Sequence, residues 1–480
     1  MGTKFYLTST LPYVNAEPHL GFALELVQAD VVARYHQLLG EEVFFNTGTD
    51  EHGVKIYRRA EEARQTPQDF VDAAAQKFKD LIPALGVLPE INFIRTTDPE
   101  HIAAAQEFWR RCAAAGNIYK KNYRLKYCVG CELEKTESEL ENGRCSIHPN
   151  SELEAIEEEN YFFRFSKYQK LLLELYEKRP DFVVPPTRFT EVKKFVERGL
   201  EDFSISRLKS KMPWGIEVPA SPAGGPGDSE QVMYVWFDAL VNYIAAIGWP
   251  NDSEKFNQWW PVTQFAGKDN LRQQAAMWQS MLLSVGLAPS RQIVIHGFIT
   301  SGGEKMSKSV GNVIDPFVLV REYGTDAVRY FLLRHVNPFE DSDVTPEKFK
   351  EAYNANLANG LGNLVARVMT LVETHHVSAV LPKQKAKHPY QEMLEKYEIN
   401  QAMDLIWGDI QRTDRRIAAE KPFEVVKSDP LAGKELIQVY VQELARIAGA
   451  LVPFMPTTSE KIRKAVETHK KPESLFPRKE

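Results

Sequence analysis

Cysteine is scarce, with four in 480 residues. That is too few for a disulfide scaffold in a chain of this length. No apolar run approaches the ~20 residues that a membrane-crossing helix needs. The opening Met1-Gly2-Thr3-Lys4-Phe5-Tyr6-Leu7 has no signal-peptide succession, and Tyr6 stands where myristoylation wants Ser or Thr. A cytoplasmic protein is expected. Basic charge is not in excess: 59 Lys and Arg against 65 Asp and Glu leave a net charge of -6. A global basic footprint for nucleic acid is therefore missing, although a large acidic body can carry local basic patches. Internal repeats and long low-complexity tracts are missing too. What remains is 43% hydrophobic and 26% charged, the balance of a soluble globular chain. Its length suits two to four domains.

The pattern along the chain begins as α/β. Lys4 to Ser9 reads as a buried strand. After the turn Pro12 to Pro18, Leu24, Val27, Val31, Tyr35 and Leu38 recur at helical steps, so Leu20 to Leu39 reads as a helix with Gly40 as its stop. Val43 to Asn46 is a second strand, ending in Gly48-Thr49-Asp50-Glu51-His52-Gly53. In such a strand–helix–strand unit, ligands bind at the strand ends. From Gly116 to about Gly227 the pattern breaks. This stretch holds three of the four Cys, an acidic run (Glu152 to Glu159) and a Pro/Gly-rich loop (Pro219 to Gly227). It reads as an insertion. Strand-like runs return at Gln231–Trp236, Thr263–Ala266 and Gln292–His296. From Pro346 to about Glu467 the period is helical, with Pro-containing breaks near Leu381–Pro389 and Ser428–Pro430. The expected layout is a Rossmann-like α/β domain (first half 1–115), a connective insertion with a zinc knuckle (116–227), the second half of the α/β domain (228–345), and an all-α bundle with a short tail (346–480).

Three groups of residues carry chemistry. Cys128-x2-Cys131 and Cys145-x2-His148 form two knuckle-like pairs. Three thiolates and one imidazole suit a tetrahedral zinc with no open position, hence a structural one. The bland alternative is buried thiols beside a surface His. Cys112, left over near Phe108 and Trp109, reads as a core thiol. His19-Leu20-Gly21-Phe22 opens the first helix, where free N–H groups and the helix dipole favour phosphate. Gly21 allows close backbone approach. By itself a His at a helix start is more often unremarkable. Gly302-Gly303 and Lys305-Met306-Ser307-Lys308-Ser309 are rarer. Two lysines on a Gly-flanked loop suit the β and γ phosphates of ATP, with a solvated basic loop as the alternative.

The strings Tyr13-Val14-Asn15-Ala16-Glu17-Pro18-His19-Leu20-Gly21, Gly48 to Gly53, Tyr234-Val235-Trp236-Phe237-Asp238-Ala239, Gly267-Lys268-Asp269, the Cys/His knuckle and the lysine loop together resemble the bacterial-type methionyl-tRNA synthetases, a class I family. The resemblance covers nearly the whole chain. It implies ATP-dependent formation of methionyl-adenylate, then transfer to tRNA(Met), the initiator included, with Mg2+ at the phosphates and a structural Zn2+. It implies that His19, Gly21, Asp50, Lys305 and Lys308 are catalytic, and that ATP is bound by His19, Gly21, Lys305, Ser307 and Lys308. Asp50 would face the methionine ammonium. Leu11, Tyr13, Trp236, Ala239, Tyr243, Asn270 and Gln274 would border its side chain, and Arg207 would lie near its carboxylate. Asn363, Arg367, Pro422 and Phe423 fall where the family reads the anticodon. The chain closes soon after the bundle, at Lys479-Glu480, so a monomer is expected.

Four positions depart from the family pattern. Phe22 replaces the second His of the first motif, Asn270 replaces Ile, Gln274 replaces a pocket His, and Phe423 replaces a stacking Trp. Phe22 cannot donate to phosphate. Two alternatives follow from these departures: a paralogue that binds tRNA without ligating, or a synthetase with altered amino-acid specificity.

Overall fold

The computed structural model describes residues 3–130, 133–135, 140–220, 227–306, 312–378 and 390–480, without the side chains of 123–125, 133–135, 155–157 and 305. Six parallel strands form the central sheet: β1 (Lys4–Thr8), β2 (Glu42–Thr49), β3 (Asn92–Arg95), β4 (Val183–Val184), β5 (Thr263–Gly267) and β6 (Gln292–His296). Their order is β3-β2-β1-β5-β6-β4. The chain winds outward from β1 through β2 to β3; on the other side the edge strand β4 comes first in sequence, and β5 and then β6 fill the space between β1 and that edge. The crevice above the carboxyl ends of β1 and β5 is the switch point at which α/β sheets hold ligands.

Helix α1 (Leu20–Leu38) connects β1 to β2, and Gly40 takes a left-handed turn after it (φ +86°). Most of α1 is buried, as a helix lying against a parallel sheet must be. Helix α2 (Pro67–Ala84) begins with Thr66 accepting the Asp69 N–H and with Pro67 in its first turn. Helix α3 (Pro99–Ala114) follows β3. The expected strand Gln231–Trp236 is displaced. The strand spans Asp228–Met233, and Trp236 belongs to the short helix α4 (Val235–Ala239). The apolar run Val232 to Phe237 suits either state, and period alone does not separate them.

Within the stretch read as an insertion, Ile118–Cys128 pairs antiparallel with Glu154–Phe163 over a long ladder. The acidic run is thus largely one strand of a ribbon, paired with the stretch Asn122 to Tyr127, and Lys120 lies 3.7 Å from Glu159. Cys112 is a core thiol, buried with its Sγ 3.1 Å from Ser284 Oγ, and burial pushes it up to about 12.

Beyond Pro346 every regular element among the described residues is helical. They include α5 (Asn363–His375), α6 (Ile399–Glu420), α7 (Pro422–Ser428), α8 (Pro430–Leu451) and α9 (Pro456–Thr468). The break at Ser428–Pro430 is a single residue: Asp429 caps α8 by accepting the Leu431 and Ala432 N–H groups. The break at Leu381–Pro389 lies outside the described residues. One apolar core runs from β1 and α1 into this bundle. At the junction Arg329, on the helix Thr325–Arg334, is fully buried. It donates to the Phe454, Pro453 and Leu85 carbonyls and lies 2.7 Å from Asp30 Oδ2 on α1.

Candidate active site at the switch point of the sheet

A cavity of about 440 Å³ opens above β1 and β5. Its walls come from the segment after β1 (Leu11, Tyr13), the start of α1 (His19, Gly21, Phe22, Glu25), the end of β2 (Asp50), α4 (Trp236), the turn after β5 (Asp269, Asn270) and the end of β6 (His296). Segments far apart in sequence meet here because all these strands point the same way.

Asp50 is 8% exposed, and the cavity is its outlet. Its position is stiff. Its N–H donates to the Pro12 carbonyl (2.9 Å), and its own carbonyl accepts the Val14 N–H (3.2 Å). Next to it, the buried Glu51 carboxylate takes both arms of the Arg95 guanidinium (2.7 and 2.9 Å) and the Thr49 and Thr97 hydroxyls. Such a charge-assisted, bidentate anchor holds the loop that presents Asp50. One residue further, His52 Nδ1 lies 3.1 Å from the buried Asp238 on α4, and His101 of α3 approaches the same carboxylate at 3.5 Å. Burial works to raise the Asp238 carboxyl, but the two imidazoles hold it below its ordinary range. The pair ties the Asp50 loop to the helix carrying Trp236.

His19 caps α1 with its own side chain: Nδ1 accepts the Gly21 N–H at 3.1 Å. That fixes the neutral tautomer with the proton on Nε2. Gly21 also leaves this cap uncrowded, since any side chain there would make the His19 ring give way by a few tenths of an ångström. A Cβ there would lie 3.0 Å from the His19 ring. Phe22 lines the cavity and meets Phe78 of α2 edge-on, with ring centroids 5.3 Å apart. An aromatic contact therefore occupies the place of the missing second His.

The methionine-pocket residues implied by the resemblance divide in two. Leu11, Tyr13, Asp50, Trp236 and Asn270 line the cavity. Ala239, Tyr243 and Gln274 are buried outside its lining. Gln274 donates to the Tyr243 hydroxyl (2.8 Å) and accepts from Gln264 (2.7 Å), and Tyr6 donates to the Tyr243 carbonyl (2.7 Å). Burial pushes the Tyr243 phenol well above its usual range. Gln274 thus acts on Tyr243 and not on the cavity directly. Arg207 is buried, donating to Ser204 Oγ and the Ser206 carbonyl with its guanidinium over the Tyr234 ring.

Met306 lines the cavity and Lys305 ends the short strand Glu304–Lys305. Ser307 and Lys308 lie outside the described residues. Asn363 and Arg367 share α5, Arg367 paired at 2.6 Å with Asp414 of α6. Pro422 opens α7, buried, and Phe423 beside it is 41% exposed.

Cys128, Cys145 and His148 gather with their ligand atoms within 4.8 Å of one another, while Cys131 lies outside the described residues. Cys128 Sγ and His148 Nδ1 are 3.8 Å apart. Ligands around a tetrahedral zinc stand about 3.5–3.8 Å apart, given Zn–S near 2.3 Å and Zn–N near 2.0 Å. The donors fit that ion. Gly130 permits the fold of the knuckle, since a Cβ there would lie 2.5 Å from the His148 ring.

Sequence reasoning missed Glu25 and His296. Glu25 accepts the Thr10 N–H and hydroxyl (2.5 and 2.6 Å), and His296 lies 2.7 Å from its other oxygen. The two are 271 residues apart. No local string signals such a pair.

The family model for tRNA synthetases class I (M) matches residues 5–137 and 130–369. A methionine–tRNA ligase of Thermotoga maritima is 38% identical over 98% of this chain and 76% of its own length. That of Mesorhizobium japonicum is 39% identical over 96% of this chain and 90% of its own. The solved Mycobacterium tuberculosis methionyl-tRNA synthetase in complex with methionyl-adenylate superposes with a TM-score of 0.88 at 34% identity, covering 100% of this chain and 99% of that one. Its free-state structure gives 0.82 at 30% identity over the same shares. The chain belongs to the methionine–tRNA ligase family of class I tRNA synthetases.

Proposed function

We propose that this enzyme activates methionine with ATP and transfers it to tRNA(Met), the initiator included. The observation that carries the reading is one rigidly held carboxylate, Asp50, facing a cavity walled by Leu11, Tyr13 and Trp236 at the start of α1. A carboxylate is the natural partner of an amino acid's ammonium, and aromatic walls suit a thioether. The methionyl-adenylate in the solved relative supports the same reading.

The methionine carboxylate attacks the α-phosphorus of ATP and pyrophosphate leaves. A hydroxyl of the tRNA's terminal ribose then attacks the activated carbonyl, and AMP leaves. Side chains move few protons in the first step, so catalysis is positioning and charge stabilisation. His19 offers its Nε2–H and α1 its N-terminal N–H groups to the nucleotide. Lys305, Ser307 and Lys308 supply donors to the leaving pyrophosphate. Mg2+, carried on the ATP phosphates, would neutralise part of their charge. Tyr243 and Ala239 back the Trp236 wall, Gln274 holds Tyr243, Asn270 borders the side chain, and Arg207 steadies the carboxylate end. Zn2+ held by Cys128, Cys131, Cys145 and His148 would keep the knuckle folded.

We read 1–115 and 228–345 as the two catalytic halves, 116–227 as the connective insertion and 346–480 as the anticodon-binding bundle. Asn363, Arg367 and Phe423 form its reading surface, with the buried Pro422 opening the helix that carries Phe423, since single-stranded bases are read by hydrogen bonds and by stacking on aromatics or Arg. The enzyme is read as a cytoplasmic monomer, which light scattering after size exclusion tests.

Aminoacylation of a CAU-anticodon tRNA tests the function. Asp50→Asn is expected to raise the KM for methionine by roughly ten- to a hundredfold, the worth of one charge-assisted bond. An unchanged methionine KM would remove Asp50 from that role. Phe423→Ala is expected to weaken tRNA charging and leave ATP–pyrophosphate exchange intact.

A further inference from the structure

We propose that Glu25 and His296 are a positioning pair for adenylation, holding one proton between them so that the pair adds no net charge to the nucleotide side of the cavity. The inference rests on the reading of this cavity as the ATP and methionine site.

The geometry of His296 carries it. Its Nδ1 lies 2.7 Å from the Gly297 carbonyl oxygen, and its Nε2 lies 2.7 Å from Glu25 Oε2. A carbonyl brings no proton, so Nδ1 must donate. In a neutral imidazole Nε2 is then bare, and two acceptors would face each other unless a proton sits between them. Glu25 Oε1 already accepts the Thr10 N–H at 2.5 Å and the Thr10 hydroxyl at 2.6 Å. Three donors favour an ionised carboxylate, which leaves the proton on the imidazole. Burial pushes His296 down, but the carboxylate at 2.7 Å and the Gly297 carbonyl outweigh it and raise it above the ordinary imidazole.

The surrounding charges say what the proton does. Asp269, in the turn after β5, also acts on His296. The segment that takes the Gly297 N–H carries Asp341, neutralised by Lys268 at 2.6 Å. Arg188 acts on Asp341 from further away. Glu25 and Asp269 both line the cavity. Without the shared proton they are two anions beside a polyanionic ligand. The pair has a second duty through Thr10. Glu25 holds the start of the segment that carries Leu11 and Tyr13, so one carboxylate braces the methionine wall and faces the nucleotide wall at once.

The two duties separate in a pH profile. Above the pH at which the pair loses its proton the KM for ATP is expected to rise, by up to about tenfold per pH unit, and then level off, while the KM for methionine holds, because Glu25 still accepts from Thr10. Glu25→Gln keeps the Thr10 bonds through its carbonyl oxygen, and its NH2 donates to the bare Nε2 of a neutral His296. This variant is expected to lose the alkaline rise in ATP KM. A wild-type rise that persists unchanged in Glu25→Gln overturns the proposal. A measurement on the wild-type protein stands apart from catalysis and from the variant's folding. Nitrogen-15 NMR of histidine-labelled enzyme, with His296 assigned by its loss in His296→Gln, is expected to show protons on both ring nitrogens at about pH 7.5, where an ordinary imidazole is mostly neutral. A single neutral tautomer there overturns the proposal. Absence of methionine-dependent exchange at every pH would strike the functional reading instead, and leave the NMR result standing.

Discussion

Replacing Phe22 by His restores the donor that the first motif lacks, and the structure sets both sides of the balance. Phe22 meets Phe78 edge-on at 5.3 Å and borders the small cluster of Val14, Ile56, Val71 and Phe78. An aromatic pair of this kind is worth about 0.5–1.5 kcal/mol beyond its area burial. Phe22 is only half-buried, so Phe22→His should destabilise the fold by about 1 kcal/mol. Against that, its ring lines the cavity at the start of α1, beside Gly21. A donor there that reaches phosphate in the transition state is worth about 1.5–3 kcal/mol, roughly ten- to a hundredfold in rate. The expected outcome is ATP–pyrophosphate exchange at least about tenfold faster, with slightly lower thermal stability. Phe22→Leu is the control. It loses the Phe78 contact without gaining a donor, so it should be destabilised with no gain in rate. If Phe22→His is no faster than wild type while both variants lose stability alike, the reasoning fails, and the site works with the aromatic ring as built.

Arg329→Met leaves Asp30 without one of its cations and strips the Phe454, Pro453 and Leu85 carbonyls of a donor. Breaking a buried pair by removing one partner costs about 3–5 kcal/mol, and urea unfolding followed by circular dichroism should show a loss of that order. Gln274→Leu frees the Tyr243 hydroxyl and Gln264. A several-fold rise in methionine KM with little change in ATP KM is expected, and equal effects on both would place Gln274 elsewhere in the mechanism. Zinc chelation should lower the melting temperature, with Cys145→Ser reproducing the shift in untreated protein; a melting temperature indifferent to both would remove the metal from the fold. Cys112, buried with its thiol pushed up to about 12, should resist thiol reagents in the folded enzyme and react on unfolding.

Much of this architecture was legible because its signals are periodic or local. The α1 stripe, the strand Gln292–His296 and the helical half beyond Pro346 follow from spacing alone. The Cys128, Cys145 and His148 cluster follows from pair spacing. The failure at Gln231–Trp236 is physical, since a short apolar run fits a buried strand and a buried helix turn equally. The candidate site was legible only through strings. Asp50, His19 and Trp236 sit in recognisable motifs, and they reach one cavity. The groups that hold them there do not announce themselves. Glu51 with Arg95, Asp238 with His52, and Glu25 with His296 join residues 44, 186 and 271 positions apart. Those pairings exist only after the sheet has brought the strand ends together. Gln274 shows the limit of such strings: its place in the resemblance sets it beside the methionine side chain, and only the fold shows that it bonds Tyr243 and Gln264 there.

The most direct test of the central claim is ATP–pyrophosphate exchange by the purified enzyme, measured with each of the twenty amino acids in turn. Strong exchange with methionine and little with the rest is expected. Exchange that favours another amino acid, or none with any, would contradict it.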